Sequence, residues 1–387
     1  MPDFIFQMPG KIEIGFSKSG DIARIIKEIK LQRVLVVVDS NLKKMGIVDR
    51  IFNHLKKEAI SFSVFDSINN EPTITEIDQA IHDLKVASNF DGVVGIGGGS
   101  TIDVAKLLAV SGSIKGSIRD YIGVNLIKES SIPTIMVPTT SGTGAEVTPN
   151  AVVKDPVAGW KKGIVSSCLI PDRVILDPEL TISLPPKITA ETGIDAFTHA
   201  IECFICNKSN PMSDLFALDS MRLINNYLRR AVRNGNDKEA RYYMAIGSLY
   251  GGIAITNSGT GGVHALAYPL GGKYNISHGL SNSILLAEVM EFNAKAVPEK
   301  FIKVAEVMGI ETTDFPKEKV VKSVVDEIRK LVNDVGITIE GFEVSEKVLG
   351  NLATLAISEQ QRLIKNNPRE IKFEDAKRIY KKALKVK

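Results

Sequence analysis

The chain has 387 residues, with 48 lysines and arginines against 45 aspartates and glutamates, for a formal charge of +3. A 44% hydrophobic and 24% charged composition is that of an ordinary globular protein of roughly two domains. The near-balance of charge argues against a nucleic-acid or membrane-surface partner, and no apolar run reaches the ~18 residues that a membrane span needs.

The start, "MPDFIFQMPGKIEIG", lacks a basic region followed by an apolar run of signal-peptide length. Three cysteines, Cys168, Cys203 and Cys206, are too few for a disulfide framework, so a reduced, cytoplasmic setting is expected. Through the first half, short β-branched runs alternate with amphipathic segments. "RVLVVVD" (33–39), "SFSVFDSI" (61–68), "GVVGIG" (92–97), "TIMVPTT" (134–140) and "RVILD" (173–177) read as buried strands. "TITEIDQAIHDLKVAS" and "STIDVAKLLAVSG" between them have helical periodicity. Apolar strands alternating with helices predict a mainly parallel sheet covered on both faces.

Three elements of this half point to a dinucleotide. "DGVVGIGGGSTIDVAK" sets Gly97, Gly98 and Gly99 between a strand and a helix, where backbone can approach a phosphate held at the helix N-terminus. Ser100 or Thr101 is placed to cap that helix, and Asp103 either to satisfy its first turn or to meet a ligand. A second loop, "PTTSGTGAEVT", offers the hydroxyls of Thr139, Thr140 and Ser141, with Gly142 and Gly144 leaving room. Two such loops suit a pyrophosphate better than one phosphate. Asp39, ending its strand, is placed to accept from an adenosine ribose and to repel a 2′-phosphate, or simply to open a turn; it favours NAD over NADP. Its distance from the glycine loop implies a strand order unlike the standard dinucleotide fold.

Past Pro185-Pro186 the strand signal fades, and the pattern is helical almost to the last residue, as in "SDLFALDSMRLINNYLRRAV" and "VVKSVVDEIRKLVNDVG". The division expected is an α/β dinucleotide-binding domain over 1–182 and an all-helical metal-binding, catalytic domain over 183–387. The lysine-rich end, "KRIYKKALKVK", reads as the solvated face of a last helix.

Three of the five histidines lie in this helical half. In "ETGIDAFTHAIE", Asp195 and His199 stand at i and i+4 on one helix face. "VHALAYPLGGKYNISH" adds His264 and His278, with Pro269 and Gly271–Gly272 expected to break the helix so that the chain returns a second imidazole to the same point. Three imidazoles and one carboxylate suit a borderline divalent metal, zinc or iron(II). His54 and His82 read as structural or incidental residues on surface helices, and the Cys203–Cys206 pair as buried apolar filler rather than a redox or metal motif.

From "GGGSTIDVAK" through "PTTSGTGAEVT" and "GIDAFTHAIE" to "NNPRE" (366–370), the chain resembles the iron-containing (group III) alcohol dehydrogenases. The resemblance implies a dehydroquinate synthase-like architecture, a catalytic ion in a cleft between the two domains, and a dimer or higher homo-oligomer. It implies metal ligation by Asp195, His199, His264 and His278. Cofactor contacts would fall on Asp39, Gly97, Gly98, Gly99, Ser100, Thr139, Thr140, Thr143 and Lys162, with Asn150 and Val152 near nicotinamide and substrate. The activity implied is metal-dependent, NAD(P)-linked interconversion of a small alcohol and its aldehyde or ketone, with NAD expected before NADP. A zinc polyol dehydrogenase or a hydroxyacid–oxoacid transhydrogenase on the same fold is the nearest alternative, and a non-catalytic dinucleotide sensor the alternative of another class.

Two positions depart from the family pattern. Many members carry a further histidine four residues after the first; here it is Tyr268, a possible proton or nicotinamide contact but, with a reference pKa near ~10, a poor base. The usual "AGLAF" reads "GGIAI" (251–255), so Ile255 replaces an aromatic ring and reshapes the expected alcohol pocket.

Overall fold

The computed structural model describes residues 3–67, 72–87, 90–129, 131–338 and 343–386. The ends of two expected elements, Ile68 and Ser88, lie outside them. The chain divides into two compact units. One comprises Met8–Thr140 and Gly144–Ser183; the other comprises the segment up to Gln7, Ser141–Thr143 and the helices from Leu184 onward.

In the α/β unit the strands are β1 (Lys11–Ile14), β2 (Arg33–Val38), β3 (Ser61–Phe65), β4 (Gly92–Gly97), β5 (Gly123–Val124), β6 (Thr134–Pro138), β7 (Asn150–Asp155), β8 (Trp160–Val165) and β9 (Arg173–Leu176). Six of them form one sheet, ordered β1-β9-β6-β4-β2-β3, in which every pairing is parallel. Its helices are α1 (Ile22–Glu28), α2 (Ser40–Lys44), α3 (Asp49–Lys57), α4 (Ile74–Ala87) and α5 (Gly99–Ala109). Val34, Val36, Val38, Val94 and Ile96 join one core cluster, whereas Leu35, Val37 and Val93 join another. Both faces of the sheet are therefore covered, which is why its strands read as continuous apolar runs.

The edge strand β1 and the antiparallel hairpin β7–β8 were not expected from the sequence. β1 is only four residues long and largely half-buried, so it has no apolar run to announce it. β7 alternates half-buried and buried residues, as does a ribbon with one face on a core. With β5 it makes a separate small sheet.

The helical unit contains α6 (Pro186–Ile205), α7 (Pro211–Arg233), α8 (Lys238–Ser258), α9 (Gly262–Tyr274), α10 (His278–Ala294), α11 (Pro298–Val307), α12 (Lys317–Asp334), α13 (Glu346–Glu359), α14 (Gln361–Asn366) and α15 (Phe373–Ala383). Two-residue strands β10 (Glu343–Val344) and β11 (Lys385–Val386) pair in parallel, a small exception to an otherwise helical unit. Small residues set the closest helix approaches. A Cβ at Gly193 would lie 2.2 Å from Leu228 Cδ1, and one at Gly279 would lie 2.3 Å from the Glu191 carbonyl oxygen. The last helix is not merely a solvated face: Ile379 and Tyr380 are buried, and the Tyr380 hydroxyl donates to the Leu266 carbonyl at 2.6 Å.

Pro269 does not break its helix. α9 runs unbroken through Pro269, Gly271 and Gly272, and the turn comes later, at Asn275 in the left-handed region (φ 50°). Ser277 then caps α10 by accepting from the Leu280 N–H. A proline lacks an N–H and crowds the preceding turn, but tertiary packing over Val263–Ala267 and Leu270, all buried, outweighs the local penalty.

Candidate metal centre and dinucleotide loops

α6 presents Asp195 and His199 one turn apart, both buried. His264 sits in the first turn of α9, and His278 is the first residue of α10. Two contacts seat the α10 end on α6. Ser277 Oγ donates to Glu191 Oε2 at 2.5 Å, and Gly279 passes close under the Glu191 carbonyl. The result brings together one ligand atom from each of Asp195, His199, His264 and His278, all within 4.8 Å of one another. The His199 and His278 Nε2 atoms lie 3.9 and 3.7 Å from Asp195 Oδ1. The rings of His199 and His264 stack at 4.6 Å, and those of His264 and His278 lie 5.1 Å apart.

Such crowding of lone pairs in a buried place is unfavourable unless a cation or a donor sits among them. Asn282, fully buried, supplies one donor group: its Nδ2 gives a hydrogen bond to Asp195 Oδ1 at 2.7 Å and lies 3.2 and 3.3 Å from the Nε2 atoms of His264 and His278. Its Oδ1 has no hydrogen-bond partner among the described residues. The protonation states of these side chains favour ligation. Burial alone would raise the Asp195 carboxyl, but the three facing imidazoles and the Asn282 amide hold it below its usual value. Burial, reinforced by His264, lowers the His199 imidazole despite the pull of Asp195. An ionised carboxylate and a neutral imidazole are the forms a metal needs. Three nitrogens and an oxygen at this spacing fit a borderline divalent ion.

Glu202 lies one turn beyond His199, at the end of "ETGIDAFTHAIE", and its local sequence points to no role. Its Oε2 lies 2.6 Å from His264 Nδ1, and its Oε1 accepts from the Val263 N–H at 2.6 Å. The i, i+3 spacing from His199 was the available signal; the partner helix could not be read locally. Tyr268 stacks on His278 at 5.4 Å and meets the edge of His264 at 6.4 Å. Ile255 is buried within this unit's core. Cys203 and Cys206 are buried thiols whose pKa values are pushed up, chiefly by burial, and His54 and His82 lie on α3 and α4, apart from the cluster.

In the α/β unit, the strand order reverses between β2 and β4, and ligands of open parallel sheets bind at the carboxyl ends of strands beside such a reversal. Asp39 follows β2, Gly97–Ser100 end β4 and begin α5, and Thr139–Thr140 follow β6, so three adjacent strands present these residues at one edge. α5 is capped by Gly98 with no side-chain hydrogen bond; Ser100 and Thr101 lie inside the helix instead. A Cβ at Gly97 would sit 2.6 Å from Thr101 Cβ. Asp39 is the N-cap of α2, its Oδ1 accepting from Asn41 and Leu42 N–H groups at 2.7 and 3.4 Å. Ser141, Gly142 and Thr143 group with the helical unit, where a Cβ on Gly142 would lie 2.7 Å from Thr192 Cβ.

Asp103 neither caps α5 nor faces outward. It accepts from the Val152 N–H at 3.0 Å and pairs with the buried Lys106 at 3.2 Å. The Lys106 ammonium donates to the carbonyls of Ala145 (2.8 Å), Thr148 (3.3 Å) and Asn150, so α5 holds the end of the second loop and the start of β7. Asn150 and Val152 share the half-buried face of that ribbon. Lys162 pairs with Val153 and so projects from the opposite face; Lys161, paired with Lys154, shares the face of Asn150 and Val152.

Two family profiles match the chain: "Iron-containing alcohol dehydrogenase" over residues 9–178 and "Fe-containing alcohol dehydrogenase family, C-terminal" over 189–384. Long-chain-alcohol dehydrogenase 1 of Geobacillus thermodenitrificans is 37% identical over 380 residues, covering 97% of this chain and 95% of its own. A crystal structure of a 1,3-propanediol oxidoreductase superposes with a TM-score of 0.94 at 32% identity, over 99% of this chain and all of that one. Sulfoacetaldehyde reductase from Bifidobacterium kashiwanohense, solved with NAD+, gives 0.87 at 29% identity over 98% of each chain. The parallel sheet and the helical unit, with the two family profiles, are those of a metal-dependent oxidoreductase acting on alcohols, and Asp195, His199, His264 and His278 form a donor set of the kind a divalent ion takes. The chain belongs to the iron-containing alcohol dehydrogenase family.

Proposed function

We propose that this enzyme interconverts a small alcohol and its aldehyde or ketone with NAD, using a divalent ion, iron(II) before zinc, held by Asp195, His199, His264 and His278. The observation that carries the reading is the meeting of four ligand atoms within 4.8 Å from three different helices. A divalent ion bound there would act as a Lewis acid on the alcohol or carbonyl oxygen. NAD would take up or return the hydride.

The chain's own residues prepare these events. Asp195 is kept ionised and His199 neutral, so neither has to lose a proton when the ion enters. The N-terminal N–H groups of α5 and the Thr139 and Thr140 hydroxyls are assigned to the pyrophosphate, and Asp39, whose Oδ1 already caps α2, to the ribose. Gly97, Gly98, Gly99 and Ser100 form the cradle, with Thr143, Asn150, Val152 and Lys162 as further cofactor contacts; the register favours Lys161 over Lys162 for any role shared with Val152. Tyr268, stacked on His278, limits ring movement beside the ion and can pass only its own hydroxyl proton. A homodimer or larger homo-oligomer in the cytoplasm completes the proposal; among the described residues no helix is long and apolar enough to cross a membrane.

The test is His199→Ala, with metal content measured on anaerobically purified protein and turnover over an alcohol and aldehyde panel. Loss of both is expected; full metal content with full turnover would overturn the assignment. Hydride transfer from a hydroxyacid to an oxoacid without added NAD would point instead to a transhydrogenase.

A further inference from the structure

We infer that Glu202 is a positioning residue for the metal centre: it fixes the proton of His264 on Nδ1 and thereby aims the Nε2 lone pair at the ion. The inference rests on the metal-site reading above and concerns this chain's own residues.

The geometry is specific. Glu202 is 1% exposed and sits on α6, the helix that also carries Asp195 and His199. Its two oxygens meet two different groups of α9: Oε2 the ring nitrogen of His264 at 2.6 Å, Oε1 the backbone N–H of Val263 at 2.6 Å. A carboxylate offers only lone pairs, so a contact this short to an imidazole nitrogen requires that nitrogen to carry the proton. With the proton on Nδ1, the neutral ring has its remaining lone pair on Nε2, the atom that lies 3.2 Å from Asn282 Nδ2 inside the cluster.

Electrostatics supports the same role. α9 begins at Gly261 with no side-chain cap of its own. Glu202 meets the N–H of Val263, and Asn367 Oδ1 meets that of Gly262 at 3.1 Å, so two groups from distant segments satisfy the helix start. Asn367 belongs to the "NNPRE" stretch, for which the sequence offered no task. It is itself held by Asn293 through paired hydrogen bonds of 2.7 and 2.8 Å. Asp195 and Glu202 together supply two buried carboxylates, matching the charge of a divalent ion among neutral imidazoles.

Glu202→Gln keeps the volume but has one acceptor oxygen for two donors. If that oxygen keeps the Val263 N–H, the amide NH2 faces His264 Nδ1, and the ring must move its proton to Nε2, where it blocks ligation. We expect zinc affinity, measured by chelator competition on the purified protein, to fall about tenfold to a hundredfold. The ¹⁵N spectrum of histidine-labelled, metal-free protein, with five imidazoles to assign, should show His264 protonated on Nδ1 in the wild type and on Nε2 in the variant. Glu202→Asp should restore part of the affinity. Wild-type zinc affinity in Glu202→Gln, within about twofold, would overturn the inference. So would a wild-type His264 protonated on Nε2, which decides the matter even if the variant does not fold. A wild type that binds no zinc or iron(II) would instead sink the metal-site reading, leaving the His264 proton assignment standing on its own spectrum.

Discussion

Glu146 lies in the second loop, buried, with burial raising its carboxyl to about 7 against an ordinary value of 4.5, while its own backbone and the Lys106 ammonium lower it less. In this window the folded protein binds more protons than the unfolded chain, so the contribution of Glu146 to stability falls as pH rises from about 4.5 to about 7 and then stays flat. Glu146→Gln should therefore match the wild type near pH 4.5 and exceed its stability by up to about 3 kcal/mol above pH 7, read from denaturant unfolding curves at both ends. His199 acts in the opposite sense. Its lowered pKa means the unfolded chain takes up a proton first, so metal-free stability falls as pH drops below the ordinary histidine value. Tyr268→Phe belongs to the same scale. If water carries the proton, the variant keeps its pH profile, whereas a large loss with the basic limb displaced would make the Tyr268 hydroxyl a proton donor in the reaction.

At the scale of elements, the site depends on how closely α6 meets α10. Gly279→Ala would drive a methyl group onto the Glu191 backbone carbonyl, which cannot rotate away as a side chain can. We expect a loss of roughly 1–3 kcal/mol in metal-free stability, as for overpacked cores, and a weaker metal site because His278 moves with the helix start. Chelator-treated protein in thermal unfolding, followed by metal titration, measures both effects. The glycine cradle fails differently. Gly97→Ala would press on the Thr101 side chain at the start of α5 and displace the N–H groups assigned to phosphate. NAD affinity by calorimetry should fall while zinc affinity stays unchanged.

For the whole molecule, a ligand that binds only the folded state stabilises it by mass action, about 2.7 kcal/mol at a hundred times its dissociation constant. Removing the ion should lower the thermal midpoint, chiefly that of the unit containing Leu184–Lys387, where all four proposed ligands reside. Differential scanning calorimetry with and without chelator would show whether the α/β unit's transition is left in place.

Much of this protein could be read along the chain. The β-branched runs at 33–38 and 92–97 are buried on both faces and carry their own signal, and the i, i+4 pair Asp195–His199 is a local helical fact. Short or half-buried elements gave less, as β1 and the β7–β8 ribbon illustrate. The sequence alone therefore determined the alternation of strands and helices, the glycine-bearing loops after β4 and β6, and the residue types that meet in the cluster. Only the tertiary structure decided which groups stand behind them. Glu202 reaches His264 across 62 positions, Asn367 reaches Gly262 across 105, and Pro269 stays helical. Local periodicity records what a residue's own helix or strand requires; a buried carboxylate's partner is set by which helices pack together, and that is written in no single stretch of the chain.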